Sequence, residues 1–130
     1  MGSAACRTQR IGNGCAMARI SAARFGRNVK NVCAKSQIVM RVASISEGEL
    51  HLHFGVYLVD RSCLDVYYNQ ENGKTAFAHI RHAARIFGAD NTLGVWHWHP
   101  CKDPKEHLFI EHEIPFAEFL RQVESHLNKP

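Results

Sequence analysis

From Gln37 onward, short β-branched and aromatic runs alternate with polar, turn-prone clusters. Ile38-Val39-Met40-Arg41-Val42-Ala43-Ser44 predicts a strand, and Ser46-Glu47-Gly48-Glu49 a turn. Leu50 to Val59 predicts a second strand, with the clearest alternation at its start. A third, Leu64 to Tyr68, runs into Asn69-Gln70-Glu71-Asn72-Gly73-Lys74, whose Asn-Gly pair is a strong short hairpin signal. Thr75 to Asn91 carries two patterns. Its alanines favour a helix, yet Phe77, His79 and Arg81 alternate with Ala76, Ala78 and Ile80. We prefer a hairpin here, with Ala84-Arg85-Ile86-Phe87 as the returning strand and the turn at His82-Ala83. Val95 to His99 predicts another strand, stopped by Pro100, and a short one is expected over 108–113. Asp103-Pro104 marks a turn in the loop between them. The last element is an amphipathic helix. Pro115 suits a first turn, and Phe116, Phe119, Leu120, Val123 and Leu127 recur on one face.

These elements predict an α+β domain: a curved antiparallel sheet of about five or six strands with the C-terminal amphipathic helix packed on it. The domain is expected to span residues 37–130. Residues 1–36 are rich in Ala, Gly, Ser, Arg and Asn and sparse in large apolar side chains, so they predict a poorly ordered leader. Such a basic, acid-poor segment can be a transit peptide or a nucleic-acid-binding arm. It can also be plain disorder or a start placed too early, with Met17 or Met40 the true start, and these blander readings are preferred.

Charge alters the picture only for that leader. It holds seven Lys/Arg and no acidic residue, while the remaining chain holds nine Lys/Arg against twelve Asp/Glu. The net charge of +4 is therefore no sign of a basic nucleic-acid surface on the domain. The five cysteines are odd in number, and no CxxC occurs. That pattern argues against a disulfide framework or a closed zinc site and points to a reducing, cytoplasmic setting. No apolar run approaches the ~18 residues of a membrane span. The sequence leaves the oligomeric state open.

Histidine is the conspicuous chemistry, with nine in the chain. On a strand, His97 and His99 share one face, with Trp96 and Trp98 on the other. Neighbouring imidazoles can bind a metal or divide general acid and base roles. His107 can return to the same side after the loop. Asp90 and Asn91, in an expected Gly-Ala-Asp-Asn turn, can supply an orienting carboxylate and an amide. These residues, with Arg81 as a possible anion-stabilising cation and Arg85 as its alternative, form the candidate catalytic set. No cofactor is required by this set. As an alternative, His97, His99 and His107 would be three ligands of a zinc site with an open position, although no HExxH signature occurs. His51 and His53 read as ordinary strand surface, His79 and Arg81 more often as solvated strand positions, and His82, His112 and His126 as surface. Cys101 lies beside the histidines, but nothing marks it as an activated nucleophile. No glycine-rich phosphate loop is present.

The stretch from Phe77 to Leu127 resembles the TumE-type toxin family of prokaryotic toxin–antitoxin systems. The resemblance lies in the hairpin from Ala76 to Arg81 with Arg85-Ile86-Phe87, then Gly88-Ala89-Asp90-Asn91, His97-Trp98-His99-Pro100, His107, and the segment Ile114 to Leu127. It implies a growth-inhibiting toxin neutralised by a partner antitoxin, and it favours a hairpin over a helix for 75–87. A ribonuclease-like activity extends from the residues, because two histidines can move the two protons of RNA cleavage without a metal. A metal-dependent hydrolase and a non-enzymatic module that pairs through a sheet edge are the competing readings.

Overall fold

The computed structural model describes residues 19–100 and 107–127. Seven strands follow one another as a single antiparallel meander: β1 (Val39–Glu47), β2 (His51–Leu58), β3 (Cys63–Asn69), β4 (Thr75–Arg81), β5 (Ala84–Asp90), β6 (His97–His99) and β7 (Leu108–Phe109). Helix α1 (Ala22–Ala34) precedes the sheet and α2 (Phe116–Leu127) follows it. Register shifts between Val39 and Arg41, Ser44 and Ser46, and His79 and Ile80 bend and twist the ladder.

Alternation decides which face each strand buries. Leu52, Phe54 and Val56 of β2 lie across from Tyr68, Val66 and Leu64 of β3. The row continues through Phe77 of β4 and Ala89 of β5 to Trp98 of β6. Both helices cover this face. Phe25 of α1 stacks on Tyr68 at 4.3 Å, and Phe116 and Phe119 of α2 meet Phe77 at 5.6 and 5.2 Å. Opposite residues in an antiparallel pair share a face. Gly88, Asp90, His97 and His99 therefore stand together on the face away from the helices.

The hairpin preferred for 75–91 is the one observed. Its two-residue turn, His82-Ala83, has φ of 52° and 62°, the left-handed pair that a type I′ turn requires. The returning strand runs further than expected, to Asp90, so Gly88-Ala89-Asp90 is strand and not turn. The expected strand over 108–113 shrinks to Leu108–Phe109, and that rung brings the sheet to seven strands.

The expected disorder of 1–36 is corrected for residues 22–34, which form α1; residues 1–18 lie outside the described residues. The apolar stripe of α1 has helical spacing but small members: Ala22, Gly26, Val29 and Cys33 are buried. Small size made the stripe inconspicuous in sequence, and it is what seats the helix closely. A Cβ on Gly26 would come within 3.1 Å of Leu52 and 3.2 Å of Phe54. The helix starts at Ser21, whose side chain accepts a hydrogen bond from the Arg24 N–H at 3.1 Å. Ser21→Ala is expected to cost about 1 kcal/mol, lowering Tm by roughly 3–6 °C in thermal denaturation, and Ser21→Asp to restore it. Equal melting of all three proteins would show that this cap contributes nothing.

Candidate active site

β6 is short because Pro100 ends it, but its three residues place the chemistry. His97 and His99 are 1% and 4% exposed, and Trp98 between them turns to the opposite face, against Phe87 and Phe119. Asp90 lies directly across from His97, and Gly88 across from His99. β6 and β7 pair His97 with Phe109 and Trp98 with Leu108, a register that carries His107 to the position facing His99. Cys101 and the rest of 101–106 lie outside the described residues.

One carboxylate binds two of these rings. An oxygen of Asp90 lies 3.1 Å from His97 Nε2 and the other 2.9 Å from His99 Nε2. The Thr92 N–H also donates to Asp90, at 3.0 Å. Burial pushes the Asp90 carboxyl up, but these donors and the nearby His97 outweigh it and hold the group below the usual carboxylate range. The carboxylate is therefore charged at neutral pH and can only accept, so each ring that bonds it presents its Nε2–H. His99 then keeps its lone pair on Nδ1, a buried atom with no hydrogen-bond partner. Burial lowers the His99 pKa more than the Asp90 hydrogen bond raises it, with Arg85 and His97 lowering it further, so His99 is neutral at neutral pH. His97 Nδ1 lies 3.3 Å from the Val95 carbonyl oxygen. The His97 ring thus has an oxygen acceptor at each nitrogen, the Asp90 carboxylate being the closer.

His107 completes the group from the solvent side. The ring centroids of His97, His99 and His107 form a nearly equilateral triangle with sides of 4.7, 4.7 and 4.8 Å. One ring nitrogen from each lies within 4.8 Å of the others, and His107 is exposed, so the cluster can be reached from outside.

Of the remaining expected site residues, two stand elsewhere. Asn91 accepts from the Thr75 N–H at 2.9 Å and donates to the Gly73 carbonyl at 3.0 Å, so it braces the β3–β4 turn. Arg81 pairs with Asp60. Ala76 is the β4 residue in the Asp90 row, and Arg81 is five residues further along, about 17 Å at the rise of a strand. The arginine closer to the cluster is Arg85, whose charge lowers the His99 pKa. His79 was expected in solvent and is instead 1% exposed. Plain alternation with Phe77 puts His79 on the helix-covered face, in the row of Leu64 and Phe87.

His79 lies 2.8 Å from Ser62 Oγ, which resembles a nucleophile and its base. It is not one. Ser62 is 3% exposed and gives its own proton to Asp60, so it accepts from His79. The described thiols are equally quiet: burial pushes Cys33 up to about 11 and also raises Cys63. His53 pairs with Asp65 at 3.0 Å and His51 with Ser46 at 3.1 Å. No helix among the described residues is long and apolar enough to cross a membrane. No family model, no curated protein and no solved structure matches the chain.

Proposed function

We propose that this protein is a small histidine-dependent ribonuclease and the toxin of a toxin–antitoxin pair, with its reaction centre at Asp90, His97, His99 and His107. The observation that carries the enzymatic reading is the single buried carboxylate that orients two imidazoles and leaves His99 Nδ1 with an unengaged lone pair. An orphaned buried acceptor costs about 1–3 kcal/mol; His79 Nδ1 is also unpartnered, but only that of His99 belongs to a ring clustered with two further imidazoles. The toxin setting and the antitoxin partner rest on the sequence resemblance alone.

RNA cleavage needs a base and an acid. The 2′-oxygen attacks phosphorus as its proton passes to the base; the bond to the 5′-oxygen breaks as that oxygen receives a proton from the acid. The products are a 2′,3′-cyclic phosphate and a 5′-hydroxyl. His99, neutral and aligned by Asp90, suits the first role, and His107, at the solvent edge, suits the second. Of the two candidate arginines, Arg85, whose charge acts on His99, is the cation that can offset charge on the phosphorane.

His99→Ala and His107→Ala are expected to lower cleavage of a single-stranded RNA by roughly 10²-fold or more. Both should relieve growth inhibition in cells. Wild-type toxicity in both variants would overturn the enzymatic reading and leave an interaction module that acts by binding.

A further inference from the structure

We propose that His97, His99 and His107 bind a single divalent transition cation of the zinc class. The proposal rests on reading this cluster as the reaction centre and changes the agent that works there.

The first argument is size. With metal–nitrogen bonds of about 2.0–2.1 Å, three imidazoles around a four-coordinate ion place their ring centres about 5 Å apart. The observed triangle has sides of 4.7, 4.7 and 4.8 Å. The donor nitrogens lie within 4.8 Å of one another, against roughly 3.4 Å around a tetrahedral ion. An ion would have to draw the three rings together by that difference.

The second argument is independent of size. His99 is 4% exposed and its Nδ1 has no hydrogen-bond partner. A cation would satisfy that lone pair. The Asp90 carboxylate already occupies the opposite nitrogen of His99, at 2.9 Å; it also lies 3.1 Å from His97 Nε2, and His97 Nδ1, now 3.3 Å from the Val95 carbonyl oxygen, would exchange that contact for the ion. A carboxylate that takes one ring N–H and leaves the other nitrogen for the ion is how proteins fix histidine ligands. Three nitrogen ligands with one exposed member, His107, leave a coordination position open to solvent. Imidazole nitrogen favours zinc, copper or nickel over magnesium or calcium, which prefer oxygen.

With an ion in place, His99 and His107 would both be ligands, and neither would be free to act as base or acid. Bound there, the ion would supply a water of lowered pKa that can take a proton from the attacking hydroxyl and return one to the leaving 5′-oxygen.

The test is metal binding by the whole chain, measured apart from activity. Purified protein is equilibrated with zinc, separated from free metal and analysed for zinc per chain. Affinity follows from competition with a coloured chelator, and cobalt replaces zinc to report coordination by its visible absorption. Wild type is expected to hold one zinc per chain and to give the intense bands of four-coordinate cobalt. His97→Ala, His99→Ala and His107→Ala should each weaken binding at least ~100-fold, whereas His53→Ala should leave it unchanged. His107 is exposed, so its variant serves even if the buried pair disturbs folding. Absence of stoichiometric zinc in wild type, or equal binding by His107→Ala, overturns the proposal. The two readings fail separately. Zinc bound here without RNA cleavage removes the ribonuclease and keeps the metal site. Cleavage undiminished in chelator, with no zinc bound, removes the metal and keeps the ribonuclease.

Discussion

Asp90→Asn is expected to lower RNA cleavage by roughly 10²–10⁴-fold without unfolding the protein. The carboxylate has one oxygen for each of two Nε2–H groups and a further contact from Thr92. An asparagine of the same shape offers a single acceptor and an NH₂ that donates. One imidazole must then change tautomer, moving its proton to Nδ1. If that ring is His99, the lone pair needed for chemistry is removed while every heavy atom stays in place. The fold should lose only about 1–3 kcal/mol, the cost of a mismatched buried polar group. A metal centre would feel the same change as a 10–100-fold loss of affinity, as is typical when the partner of a ligating histidine is altered. Single-turnover cleavage, urea unfolding and zinc competition on one protein sample measure all three effects. Wild-type cleavage by Asp90→Asn would show that the carboxylate does not orient these rings for catalysis.

The second large effect lies at the other end of β4. His79 is held neutral by burial and by the nearby Arg81, which bring its pKa from the ordinary 6.5 to about 4; Asp60 opposes this and His126 adds to it. The unfolded chain takes up a proton at this residue below pH 6.5, and the folded chain does not until about pH 4. Between those values the unfolded state binds more protons, so stability falls as pH falls. The contribution is complete above pH 6.5 and lost by about pH 4, and amounts to about 3 kcal/mol. Urea unfolding at pH 7.5 and at pH 4.5 should show this difference in wild type. His79→Gln should remove most of it, because glutamine can still donate to Ser62 but does not titrate. The wild-type difference persisting in His79→Gln would assign the acid sensitivity to other groups.

Little of the second site could be foreseen from the chain. In sequence, His79 and Arg81 look alike, two polar residues alternating with apolar ones. What separates them is position: His79 lies in the helix-covered part of β4, and Arg81 at the strand's end, where it is partly exposed and meets Asp60. The same limit explains Arg81. It was a reasonable partner for the histidines by residue type, yet its strand carries it to the far end of the hairpin, where Asp60 holds it. Asn91 adjoins Asp90 in the chain, but its amide bonds the backbone of Gly73 and Thr75 instead.

Local pattern by itself determined the strands with clear alternation, the hairpin from 75, the C-terminal helix and the shared face of His97 and His99. Each follows from a period of 2 or 3.6 residues, which adjacent positions encode directly. Tertiary structure alone decided that Asp90 lies across from His97, that β7 returns His107 to close the triangle, and that α1 completes the core. These depend on strand register and on packing between segments distant in the chain. A small-residue stripe such as that of α1 signals contact only once Leu52 and Phe54 are there to meet it. The histidine-rich stretch was thus legible as a place, whereas its geometry, one carboxylate shared by two rings with a third beside them, exists only in the folded sheet.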